Sequence, residues 1–201
     1  MADIGLFYVG AVLLVNGVML LGGMTPKAAA PLNLFVGLMQ VFTPTYLVLT
    51  SGGDAATVLG AAGLYLFGFT YLWVGINALG DLPGTGLGWF SLFVAVAATA
   101  YAVVTWQDGG RVFTVIWLCW ALLWLLFFLV LALERAELTR FTGGVAIAAG
   151  VLTAALPAWL SLTGLFQDSA MTALIAAVVA LLVLAGVWVV TRPQLSAGVA
   201  H

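Results

Sequence analysis

Apolar residues arrive in seven long runs, at 4–22, 31–50, 57–79, 87–106, 112–133, 143–166 and 170–191, and charged residues fall only in the breaks and at the ends. About 20 apolar residues carry an α-helix across the hydrocarbon core of a bilayer, so each run predicts one transmembrane helix. The breaks are "GGMTPKAAAP", "TSGGDAA", "GDLPGTG", "WQDGGR", "LERAELTRF" and "FQDSA", all too short to fold as a soluble domain. The pattern predicts an all-α integral membrane protein, a bundle of seven transmembrane helices forming one domain over residues 1–201. Small residues recur at helical spacing, with Ala146, Gly150 and Ala154 four apart and Gly68 and Gly75 seven apart. In lipid such positions let helix backbones approach closely. Pro44 and Pro157 lie inside runs and are expected to kink or loosen their helices.

Composition agrees: 65% of residues are hydrophobic and 6% charged, with a mean hydropathy of +1.24, far from the quarter or so charged in soluble domains. A net charge of −2 excludes a basic nucleic-acid surface. With one cysteine, Cys119, no disulfide can form within the chain. The opening "MADIGLFYVG" lacks a basic n-region and a cleavage site, so the first run is expected to be retained as a helix. Alternate breaks share a side of the membrane. One side collects Lys27, Arg135, Arg140 and Arg192, and the other has only Arg111. The positive-inside rule then puts the N-terminus outside and the tail "TRPQLSAGVAH" in the cytoplasm.

Several chemistries lack their residues. No Asp, Glu, Lys, Arg or His lies near the middle of a predicted helix, which argues against proton relays and ion-coupled pumps. The only histidine is the final residue, His201, so imidazole ligation of haem inside the bundle is excluded. The only lysine, Lys27, is in a break, which removes a retinal Schiff base. A serine or cysteine nucleophile would have no buried base. The expectation is a non-enzyme with no cofactor and no metal site.

The candidate site is the run "VFTVIWLCWALLWLL" at 112–126. At about 100° per residue, Phe113, Trp117, Trp120 and Trp124 form one aromatic stripe on one helix. Such a stripe either packs against a neighbour, the commoner case in membranes, or lines a path. The remaining interior polarity is neutral, namely Asn16, Gln40, Asn77, threonines, and the tyrosine and tryptophan donors. That chemistry suits a small uncharged polar solute, which exchanges water hydrogen bonds for protein ones.

The stretches "YLFGFTYLWVGIN" (65–77), "GWFSLFVAV" (88–96), "VIWLCWALLWL" (115–125) and "RFTGGVAIAAGVLTAALPAWL" (140–160) resemble the AmiS/UreI family of bacterial inner-membrane channels for urea and short-chain amides. "FYVGAVLLVNGV" (7–18), the "PK" at 26–27 and "NLFVGL" (33–38) match it in the same order, so the resemblance spans residues 1–167. It implies a pore through each protomer of a homo-hexamer, lined here by Leu6, Leu13, Phe67, Tyr71, Phe113, Trp117, Trp120 and Trp124. Leu6 and Leu13 are seven apart and Phe67 and Tyr71 four apart, so each pair shares a helix face. Tyr71 and the indole N–H groups are expected to serve the solute, with Asn16 as a polar contact beside the path.

Three features depart from the acid-gated branch of that family. Phe113 and Ala149 stand where that branch has a tryptophan and a carboxylate, and "TSGGDAAT" (50–57) replaces its His-rich loop. The run at 170–191 lies beyond the resemblance, and a membrane-facing packing helix is expected there. The resulting expectation is a passive, non-acid-gated urea and amide channel of the inner membrane, functionally linked to a cytoplasmic amidase or urease. The alternative is a structural or accessory membrane subunit with no transport of its own.

Overall fold

The structure, a computed structural model, describes residues 2–191; the tail with Arg192 and His201, like Met1, lies outside the described residues. Seven helices are long and apolar enough to cross a membrane: α1 (Ala2–Leu20), α2 (Pro26–Thr50), α3 (Ala55–Gly80), α4 (Thr85–Gln107), α5 (Arg111–Leu131), α6 (Ala136–Leu162) and α7 (Ala170–Thr191). Even the shortest, at 19 residues, extends about 28 Å at 1.5 Å per residue. No strand occurs among the described residues.

Two helices start five or more residues earlier than the hydropathy pattern predicts. α2 begins at Pro26 because Thr25 caps it, its hydroxyl accepting the Ala28 N–H at 3.3 Å, and because proline suits the first helical position. "PKAAAP" is therefore helix rather than break. α6 begins with a 3₁₀ turn at Ala136–Leu138 and ends at Leu162, and Gly164 then reverses the chain with φ +72°. Its charged first turns, with Glu137 and Arg140, kept them out of the apolar run.

Helices α1 to α6 form a closed ring in chain order, with α6 returning to α1; the most extensive pairings are α2 with α3, α4 with α5, and α1 with α6. The α1–α6 seam depends on glycines meeting in antiparallel register. A Cβ on Gly150 would stand 2.7 Å from the Gly10 carbonyl oxygen, and one on Gly143 would stand 3.0 Å from that of Gly17. Between α2 and α3 the close approach is at Gly68, where a Cβ would come within 2.9 Å of the Gln40 oxygen. Pro44, four residues after Gln40, has no N–H to give that carbonyl, and α2 stays α-helical through it.

Pro157 acts differently. The turn before it, Gly150–Ala155, is a π-helix, which re-registers the backbone ahead of a residue that cannot continue the ladder. The helical register changes before Pro157, whereas the α-helical assignment of α2 is unbroken at Pro44.

α7 packs on the outside of the ring, against α5 and α6, and none of its residues is buried. That exposure fits the membrane-facing helix expected from the sequence.

Candidate functional site

The ring interior holds a cavity of about 390 Å³. It opens among the end of α1, the start of α2, the end of α3 and the start of α4, where Leu20, Pro26, Asp81 and Gly84 line it. Its inner end reaches Leu13, Thr70 and Tyr71, all buried. At the mouth Lys27 and Asp81, both well exposed, form an ion pair at 2.8 Å.

The cavity wall carries neutral hydrogen-bonding groups. Asn16 and Asn33 bond each other reciprocally at 2.9 and 2.7 Å, and Asn33 also donates to the Ala29 carbonyl at 3.0 Å. One N–H of Asn16 is left without a protein acceptor, since an amide nitrogen carries two. The Tyr71 hydroxyl and the Asn77 side-chain oxygen are buried with no hydrogen-bond partner. Unpaired buried polar atoms are costly, about 1–3 kcal/mol each, and both of these belong to residues that line the cavity.

One turn deeper along α3 the interior becomes aromatic. Phe67 meets the rings of Trp120 at 4.8 Å and Trp124 at 5.0 Å, edge-on to both, and that of Trp117 at 6.0 Å. Trp117 and Trp120 are edge-on at 4.9 Å, and Tyr101 stacks on Trp117 at 4.6 Å. Such pairings follow the ring quadrupoles. The indole N–H of Trp120 donates to the Thr153 hydroxyl at 2.9 Å, and that of Trp124 donates to the Thr70 hydroxyl at 3.2 Å. Each threonine hydroxyl donates in turn to the carbonyl four residues back, Ala149 and Leu66 respectively.

Of the sequence-nominated residues, the structure places Leu13, Asn16 and Tyr71 on the cavity wall and Phe67, Trp120 and Trp124 in the buried cluster beyond it. Leu6, Phe113 and Trp117 are partly buried against that cluster, Phe113 pairing with Phe166 at 5.6 Å. One expectation is corrected: the N–H groups of Trp120 and Trp124 are engaged within the protein rather than directed to a solute. Asn33, Thr70, Tyr101 and Thr153 were missed. Thr70 had a signal, since it stands between Phe67 and Tyr71 in "FGFTY". The partnership of Thr153 with Trp120 depends on how α5 faces α6 and had none. Among the described residues no group of three His, Cys, Asp or Glu side chains could hold a metal ion.

A helical ring with a cavity inside it defines the class, an integral membrane protein with an internal compartment. The sequence model of the AmiS/UreI family transporter matches residues 1–165, and the chain belongs to that family. It is 53% identical over 180 residues to a protein of Mycolicibacterium smegmatis named as an amidate substrates transporter, covering 89% of this chain and 84% of that one. It is 34% identical over 189 residues to the acid-activated urea channel of Helicobacter pylori strain 26695, covering 80% of this chain and 96% of that one. The crystal structure of the Helicobacter pylori urea channel superposes with a TM-score of 0.76 at 34% identity, covering 83% of this chain and all of the other. The family match ends before α7.

Proposed function

We propose that the chain is a passive channel for urea and short-chain aliphatic amides such as acetamide, with the path through the centre of the α1–α6 ring. The observation that carries this reading is a largely apolar cavity bearing a few neutral hydrogen-bonding groups, Asn16, Thr70 and Tyr71 among them, whose inner end lies one helical turn from an aromatic cluster. In it Tyr71 and Asn16 exchange hydrogen bonds with the amide, while Leu6, Leu13, Phe67, Phe113, Trp117, Trp120 and Trp124 form the slot. Flat aromatic faces suit a planar amide, whose N–H groups find partial compensation in contacts with π faces. An ion has nothing there to replace its hydration shell. The names of the relatives, amidate substrates in one and urea in the other, support this solute class.

The same reading has no acid gate, because Ala149 supplies no carboxylate and no histidine lies in any break between helices. The charge bias puts the N-terminus outside and the cavity mouth at the cytoplasm. The protomers form a homo-hexamer, and the channel feeds a cytoplasmic amidase or urease. Stopped-flow light scattering on liposomes containing only this protein is the test. Urea and acetamide flux above protein-free liposomes is expected, with no ionic current in planar bilayers. Flux equal to empty liposomes would leave the accessory-subunit reading in its place.

A further inference from the structure

α7 is held to the ring at its two ends. At one end Asp168, just before the helix, accepts the Val112 N–H at the start of α5, at 2.9 Å. At the other, Trp188 meets Phe141 edge-on at 5.2 Å, and Val187 lies where a Cβ on Gly144 would be. Between these attachments a groove of about 260 Å³ separates α7 from α5 and α6, lined among others by Ile116, Cys119, Ala149, Ala176, Ala180 and Leu184. Alanines on α6 and α7 face the gap that larger side chains would close. Water is a poor occupant, since it needs two to four polar partners. The groove offers few: the Thr153 hydroxyl already holds Trp120 and the Ala149 carbonyl, and Thr172 is bonded to Ser169 at the rim.

The groove has the dimensions of one lipid chain. Its α5 wall runs from Val112 to Leu122, about 15 Å at 1.5 Å per residue, and one leaflet of hydrocarbon is about 15 Å deep. At its upper end stands Arg111, on the same helix face as the lining residues Val115 and Leu122. The guanidinium is half-buried and lies 3.9 Å over the Trp106 ring, and its Nη1 has no hydrogen-bond partner. No carboxylate pairs with it among the described residues. A guanidinium with no carboxylate partner at the membrane surface, beside an alkyl-sized groove, matches a phosphodiester carrying an acyl chain.

We propose that the groove between α5, α6 and α7 is a phospholipid site, with one acyl chain in the groove and the lipid phosphate on Arg111. The full-length protein in detergent, titrated with phosphatidylglycerol and read by native mass spectrometry, tests it. Arg111→Gln is expected to weaken lipid retention about tenfold, the loss of one charge-assisted hydrogen bond. Filling the groove with Ala176→Leu/Ala180→Leu is expected to weaken it as well. Arg135→Gln, at the opposite membrane face, is expected to leave it unchanged, and millimolar inorganic phosphate is expected not to displace the lipid. Because the filled variant could misfold, wild-type protein is also crosslinked with a phosphatidylglycerol bearing a mid-chain diazirine. Attachment at Ile116, Cys119 or Ala180 supports the site. Attachment confined to the outward-facing Leu174, Leu181 and Leu182, or retention unchanged by Arg111→Gln, overturns it, as does displacement by phosphate alone.

Discussion

The indoles of the aromatic cluster and the polar groups of the cavity wall treat hydrogen bonds in opposite ways. In the aromatic cluster, Trp120 and Trp124 donate to Thr153 and Thr70, and both threonines donate onward to backbone carbonyls. On the cavity wall, the Tyr71 hydroxyl and the Asn77 oxygen have no partner. The first arrangement fixes the orientation of the indoles, because rotating either ring would strand a buried N–H. In the proposed channel, the second leaves groups free to bind the solute. Substitutions in the aromatic cluster should therefore change stability and selectivity together, and those on the cavity wall should change flux alone.

The largest effect is expected from Trp124→Ala. Trp124 is fully buried and touches Phe67 edge-on. Removing such a side chain typically costs about 3–5 kcal/mol. A lowered melting temperature is expected alongside loss of discrimination between urea and larger amides in liposomes. Intact oligomers with wild-type fluxes for every solute would contradict the assignment of this residue to the path.

Next in size is Thr153→Val, which keeps the volume but removes the acceptor of the Trp120 N–H. A buried donor left unpaired costs about 1–3 kcal/mol, and the freed indole should broaden solute selectivity. Thr153→Ser restores the acceptor and should recover both properties. Thermal melting and amide-panel fluxes of the two variants check this pair, and equal damage from Val and Ser would assign the residue a packing role only.

These partners show where sequence reasoning stops. The seven spans were legible because the cost of charge in hydrocarbon confines all twelve charged residues to breaks and ends. The aromatic stripe was legible because Phe113, Trp117, Trp120 and Trp124 share one helix face. Neither pattern says which helix faces which. The Asn16–Asn33 pair joins α1 to α2 and the Trp120–Thr153 bond joins α5 to α6, so both depend on helix rotation, which one sequence does not encode visibly. The start of α2 was misplaced for a different reason: capping by Thr25 and Pro26 is a local signal that hydropathy ignores.

Tyr71→Phe sharpens the comparison from the cavity side. It removes an unpartnered hydroxyl from the wall, so no fall in melting temperature is expected. Urea and acetamide flux should drop about fivefold, the worth of one neutral hydrogen bond of about 1 kcal/mol. A large loss of stability with unchanged flux would place the hydroxyl among the structural groups instead.

The smallest effect expected is that of external pH between 5 and 8. A switch in that range needs a histidine, or a carboxylate raised by burial. The position in α6 that could have coupled a loop to the slot is Ala149, whose carbonyl accepts the Thr153 hydroxyl. In the break between α2 and α3 the ionisable group is Asp54, which caps α3. The hydroxyl and backbone N–H of Thr57 hold its carboxyl below the usual carboxylate range. The sign follows from linkage. A depressed carboxylate adds stability that is present above its unfolded pKa and lost only as pH falls through the lower folded value. Both values lie below 5, since an unperturbed aspartate titrates near 3.9, so Asp54 stays ionised and the α3 cap stays formed throughout the window. Liposome acetamide flux at external pH 5 and 7.5, with internal pH fixed, should agree within error, and Asp54→Asn should not introduce a pH dependence. A several-fold rise at pH 5 would mean that another external group gates the path, and Asp108 and Asp168, in the breaks on the same side as Asp54, would be the first to substitute.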